Sequence, residues 1–162
     1  MNIFVTHEDP RISAINLDDK RVVKMVLESA QMLCTALHEH GASHLAKYKP
    51  THKNHPSNVW CRETRLNYGW LLMHFKALAD EYTYRTGKVH KSYRELYSDL
   101  VKGANYIPYG KLTPYANCAA RKDMNIDYKH ITDVPKAYKL YLADRWATDK
   151  LIPKWTKRTR PF

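Results

Sequence analysis

A long run of helical periodicity constrains this chain more than any other feature. From residue 18 or 19 to residue 40, apolar side chains recur at Val23, Val26, Leu27, Ala30, Leu33, Cys34 and Leu37, with an Asp available to cap the start and Gly41 just past the end. Val22, Met25, Met32 and Ala36 fill the neighbouring face, so most of the circumference is apolar. A helix that is apolar on two sides packs on two sides, which commits the chain to a helical core around it. One narrow stripe, Lys24, Glu28, Gln31 and Thr35, interrupts the apolar surface. It is either a solvated edge or the wall of a cleft. In a partly desolvated cleft, a carboxylate one turn from an ammonium is a candidate acid–base or electrostatic pair, and the lysine a candidate nucleophile.

Ser57 reads as the cap of a second helix that runs to about residue 85 and is closed by Gly87. Its apolar face, with Trp60, Leu66, Trp70, Leu71, Leu78 and Tyr82, includes three polar intruders: Glu63, Asn67 and His74. Polar groups on a packed face need partners, so these three are core residues satisfied internally or members of a site shared with His52, Asn54 and His55 in the preceding loop. A third helix is expected over residues 92–102 and a last one of about 14 residues after Asp133 and Pro135. Residues 103–134 lack periodicity and read as a long ordered loop. Residues 2–6 form a short extended segment ended by the turn-prone Glu8-Asp9-Pro10. The fold class is all-α or nearly so. The expectation is one compact helical bundle over residues 1–162, with a basic, aromatic tail over residues 154–162.

The 27 Lys and Arg outnumber the 16 Asp and Glu, a net charge of +11 on 162 residues. Such a surplus suits a polyanion, nucleic acid ahead of an anionic membrane surface. Basic residues interleave with aromatics in two places. One holds Arg85, Lys88, His90 and Lys91; the other, the tail, holds Trp155, Lys157, Arg158, Arg160 and Phe162. Cations there would take phosphates and rings would take exposed bases, with Arg21, Arg62 and Arg65 as further phosphate contacts. No apolar run reaches the roughly 20 residues that span a bilayer, and no basic leader precedes His7, Glu8 and Asp9. Cys34, Cys61 and Cys118 are odd in number and outside any C-x-x-C pattern, as expected of reduced thiols in cytoplasm. His52 and His55 have H-x-x-H spacing, yet no second close pair completes a tetrahedral set, so no metal is expected. Nor is a cofactor, since the five glycines form no phosphate-binding or dinucleotide-binding motif.

The runs at residues 17–31 (LDDKRVVKMVLESAQ), 51–62 (THKNHPSNVWCR), 67–70 (NYGW) and 87–91 (GKVHK) resemble a family of small phage and prophage proteins. That family is distantly similar to the pyrimidine-dimer DNA glycosylases of the phage endonuclease V type. The first likeness covers most of the chain; the second rests chiefly on the first helix. The glycosylase resemblance implies a compact helical domain that bends DNA and flips out a base. It makes Glu28, matched without a gap from Asp19, the catalytic glutamate. It makes the α-amine of Met1 the nucleophile at the sugar C1′, giving a Schiff base and strand cleavage. Two positions depart from the family's pattern. Asn2 is a bulky second residue that favours retention of Met1, whereas the family exposes its nucleophile by removing the methionine, and Leu27 stands where the family has an arginine. Lys24 is the other candidate nucleophile. The function implied is a DNA glycosylase or glycosylase/AP lyase acting on a damaged or modified base, in the bacterial host cytoplasm if phage-encoded. His52, Asn54, His55, Glu63, Asn67, His74 and His90 would contact the substrate. Two readings from other classes stand beside it: a non-catalytic binder of nucleic acid or of a host protein, and an enzyme acting on free nucleotides or nucleosides.

Overall fold

Asp9 and Pro10, expected to end the first segment in a turn, instead start a helix. Proline has the right φ and no N–H to waste at a first helical position, and the Asp9 carboxylate accepts from the Arg11 N–H at 2.8 Å. The resulting α1 (Pro10–Ile15) is too short to show periodicity. In the computed structural model, which describes residues 1–162, it is followed by α2 (Asp19–Glu39), α3 (Pro56–Glu63), α4 (Arg65–Thr86), α5 (Lys91–Gly103) and α6 (Val134–Thr148). The only sheet is a hairpin within the expected loop, β1 (Ala120–Arg121) against β2 (Ile126–Asp127), antiparallel. The fold is therefore all-α apart from this hairpin.

The helix read from residue 18 or 19 is α2. Asp18 precedes it but turns its carboxylate inward, accepting from Arg21 at 2.9 Å and from the Trp146 indole at 2.7 Å. Val23 and Leu27, read as part of the apolar surface, are 43% and 40% exposed. The continuous helix expected from Ser57 to residue 85 is two. Thr64 adopts extended backbone (φ −138°, ψ 156°) between α3 and α4. Its hydroxyl accepts from the Asn67 N–H at 3.1 Å, capping α4, and donates to the Lys111 carbonyl at 2.9 Å. His55 rather than Ser57 caps α3, its Nδ1 accepting from the Ser57 N–H at 3.1 Å. Gly87 closes α4 in the left-handed region, φ 73°, where glycine carries no Cβ penalty.

The helices α2 and α4 form the central pair, flanked by α1, α3 and α5. One cluster of 33 buried apolar residues runs from Ile3 through these helices to Trp146 of α6. The tail folds back as a strap. The Trp155 indole donates to the Asn16 carbonyl at 3.0 Å, Thr156 binds the Asp19 carboxylate, and the Phe162 ring lies 5.1 Å from Trp146. No helix is long and apolar enough to cross a membrane.

Candidate active site

The N-terminal segment is bent so that its first residues turn back toward α2. Phe4 sits at φ 57°, sparsely populated for a residue with a side chain, and is held by stacking on Tyr141 and edge contact with Tyr138, each at 6.0 Å. Asn2 is buried. Its Oδ1 accepts from the Ile3 N–H at 2.9 Å and from the Tyr138 hydroxyl at 2.6 Å, and its amide donates to the Cys118 carbonyl at 3.4 Å. This leaves Met1 against the start of α3, where the Asn58 amide contacts its sulfur at 3.1 Å. The same amide donates to the carbonyls of Thr51 and His52 at 3.0 and 2.8 Å, tying the loop before α3 to the chain terminus.

A cavity of about 250 Å³ lies where these pieces meet, with Met1, Lys24, Glu28, His55, Tyr141 and Arg145 among its walls. The Glu28 side chain is only 14% exposed, and Lys24, one turn earlier and 65% exposed, stands 3.5 Å away at the rim. Burial holds the His55 imidazole below its ordinary range, and the terminal ammonium and His52 push the same way, against the pull of Glu28. Arg145 reaches in from α6. It donates to the Tyr141 hydroxyl at 2.9 Å and stands 3.6 Å from Asp149, while its Nε is buried without an acceptor. Asn58 Oδ1 is likewise buried and unpaired. Such groups cost free energy unless a ligand or water completes them. The cavity therefore brings together an amine, a nearly buried carboxylate, an imidazole and a guanidinium, a set able to attack an electrophile, stabilise positive charge, move a proton and hold a phosphate.

Of the residues singled out from sequence, Met1, Lys24, Glu28 and His55 converge here. His52 and Asn54 stay exposed on the adjoining loop, with His52 at φ 47° and its Nδ1 2.8 Å from the Thr51 hydroxyl. The polar set on α3 and α4 does not join them. Asn67 is consumed internally: its amide donates to the Trp60 carbonyl at 2.8 Å and the Thr113 hydroxyl at 2.7 Å, and its oxygen accepts from the Thr113 N–H at 2.9 Å. His74 is fully buried, 2.9 Å from the Pro10 carbonyl, and burial pushes it down to about 4. Glu63 is exposed and accepts from the Thr113 hydroxyl, while His90 caps α5 through Ser92.

Most of the cations chosen for phosphate contact already have partners within the fold, because a guanidinium near carboxylates and free carbonyls donates to them. Arg21 is buried between Asp18 and Asp149, 2.9 Å from each. Arg85 binds Glu81, Asp19 and the carbonyls of Leu17 and Ile15. Arg158 binds Glu81, Arg62 the Lys53 carbonyl, and Arg65 the carbonyls of Ile107 and Asn105. Lys157 donates to Tyr84, and Arg160 to the Phe162 carbonyl. Lys88 and Lys91 alone of that set are exposed with no side-chain acceptor. Sequence reasoning missed Asn2, Asn58, Tyr141 and Arg145. None of the four left a signal that spacing along the chain could reveal.

Over residues 1–95 the chain matches the family described as pyrimidine dimer DNA glycosylase, and it belongs to that family. No curated protein and no solved structure matches it. The matched segment holds Met1, Lys24, Glu28 and His55, whereas Tyr141 and Arg145 lie beyond it.

Proposed function

We propose that the protein is a DNA glycosylase with AP-lyase activity, acting on a damaged or modified base flipped into the cavity at its N-terminus. The observation that carries this reading is the convergence of Met1 with Glu28, His55 and Arg145 around one 250 Å³ space. The α-amine of Met1 attacks C1′; the new C–N bond forms as the glycosidic bond breaks, and the base departs with the bonding pair and gains a proton. The Glu28 carboxylate stabilises the positive charge that develops on the sugar. Opening of the sugar ring gives a protonated imine, removal of a C2′ proton expels the 3′ phosphate, and water then releases the sugar fragment and regenerates the amine. The His55 imidazole, kept neutral by burial and by the ammonium beside it, accepts and returns the proton. Arg145 holds a phosphate of the target strand. Lys24 belongs to the rim, where its exposure suits a second phosphate. In general α-amines release their proton nearer neutral pH than lysine ammoniums, which favours Met1 as nucleophile.

Wild type and Glu28→Gln are incubated with duplexes carrying an abasic site or a thymine dimer, with and without borohydride. The expected result is a reduced covalent adduct with wild type, mapped by peptide mass to Met1, and its loss in Glu28→Gln. Tight binding with no adduct and no cleaved strand in either protein would instead mark a non-catalytic binder. A melting shift with free nucleotides and no dependence on DNA length would mark a nucleotide enzyme.

A further inference from the structure

The connection that leaves α6 carries two bare apolar side chains, Leu151 and Ile152, 72% and 84% exposed. They share a surface cleft with Lys20, Lys150 and Lys154, all exposed and without an ion-pair partner. The acids of that cleft are already engaged. Asp18 binds Arg21 and Trp146, Asp19 binds Arg85 and Thr156, and Asp149 binds Arg21 at 2.9 Å and lies 3.6 Å from Arg145. What the surface shows is an apolar tip ringed by unpaired positive charge.

A groove between them adjoins both that tip and the cavity. Arg145 lines both the cavity and this groove of about 510 Å³, whose other walls include Lys20, Arg121, Lys150 and Leu151. Lys20, Lys24 and Glu28 follow one another at single-turn steps on α2, so Lys20 lies about 12 Å from Glu28 along the helix axis at 1.5 Å per residue. At about 3.4 Å of duplex per base step, that is three or four steps from a nucleotide held at Glu28. We infer that Leu151 and Ile152 form a wedge that enters the base stack a few steps from the flipped nucleotide, with Lys20, Lys150 and Lys154 on the phosphates around it. Two branched apolar side chains between base pairs replace stacking contacts, and the opened step bends the duplex and so lowers the cost of extruding the base held at Glu28. The inference rests on the cavity being the site of base extrusion. The charge ring favours a duplex over a protein partner, because it matches phosphates on both sides of an apolar insertion.

The test is the double variant Leu151→Ser/Ile152→Ser. Both side chains stand in solvent, so the fold should survive, as an unchanged melting temperature would show. With 2-aminopurine three or four steps from the target in a duplex, binding of wild type should raise the fluorescence severalfold, and binding of the variant at saturation should not. Borohydride trapping on a single-stranded abasic oligonucleotide should be equal for the two, because no stack has to be opened, while trapping on the duplex falls about tenfold in the variant, in the range a lost apolar contact supports. Equal 2-aminopurine signals at saturation would overturn the wedge. So would a variant that opens DNA normally but loses self-association in sedimentation, or loses adsorption to phosphatidylglycerol vesicles, which would give the patch to a second copy or to a lipid surface. If wild type opens the duplex yet traps on neither substrate, the lyase reading fails and the wedge stands.

Discussion

Glu28 on α2 and Asn67 on α4 both project from helix faces that are otherwise packed, but what surrounds them differs. Asn67 has both amide hydrogens and its oxygen engaged within 2.9 Å by Trp60 and Thr113. Glu28 has one ionic neighbour, Lys24, and a void on its other side. Backbone strain follows the same division. Phe4 and His52, both at positive φ, flank the cavity, while the backbone around Asn67 departs from helix only at Thr64, in ordinary extended geometry. A buried polar side chain that the fold satisfies completely is a fastener. One left facing empty space, beside the strained Phe4 backbone and the unpaired Arg145 Nε that line the same cavity, is what a ligand would complete.

That contrast predicts opposite mutational phenotypes. Glu28→Gln should lower single-turnover cleavage of an abasic duplex by about a thousandfold, within the range for loss of a charged catalytic group, with a melting temperature close to wild type. A variant that melts far below wild type would make Glu28 a fastener too. For the second region the largest effect is a pH dependence of stability. His74 is held neutral down to about 4, against an ordinary value of 6.5. Between those values the unfolded chain takes up a proton that the folded chain refuses, so this contribution is present above about pH 6.5 and is lost as pH falls toward 4. At 1.36 kcal/mol per pH unit the loss is about 3 kcal/mol, and His55, depressed by its own burial, adds in the same direction. Guanidinium denaturation at pH 7, 5.5 and 4.5 should show the decline in wild type and a shallower one in His74→Gln. Asn67→Ala, which strands the Trp60 carbonyl and the Thr113 N–H, should cost about 2 kcal/mol. Cleavage per folded molecule should be unchanged; a hundredfold loss would place Asn67 in the site after all.

The amount of this that could be read from residues alone depended on how local each determinant was. The helix α2 was legible because its pattern repeats for 21 residues. The six-residue α1 was not. The break at Thr64 was hidden because the apolar pattern runs straight through it, and contacts from the distant 103–134 segment fix it there: Thr64 to Lys111, and the Arg65 N–H to the Pro108 carbonyl at 2.8 Å. Glu28, Lys24, Met1 and His55 were accessible through residue type and family likeness. The fate of the arginines was not, since Arg21 meets Asp149, and Arg85 meets Leu17 and Ile15, only after folding. Arg145 shows the same limit from the other side. Its entry into the cavity depends on the rotation of α6, which no spacing along the chain reveals.

The smallest expected effect falls on Lys24, and it decides which amine does the chemistry. The pair with Glu28 is 3.5 Å long, its lysine is 65% exposed, and lysine precedes glutamate, the weaker order for a pair four residues apart on a helix. Lys24→Gln should therefore change stability by no more than about 0.5 kcal/mol. If Lys24 only meets a phosphate, the variant should reduce the salt dependence of DNA binding by about one unit of slope, with borohydride trapping close to wild type. The complementary change, a short extension ahead of Met1, should remove trapping while leaving binding intact. If instead Lys24→Gln abolishes the adduct and the extended protein still forms it, the nucleophile sits one turn along α2 from Glu28. Met1 is then a wall of the cavity, and the role proposed for its amine passes to the side chain at the rim.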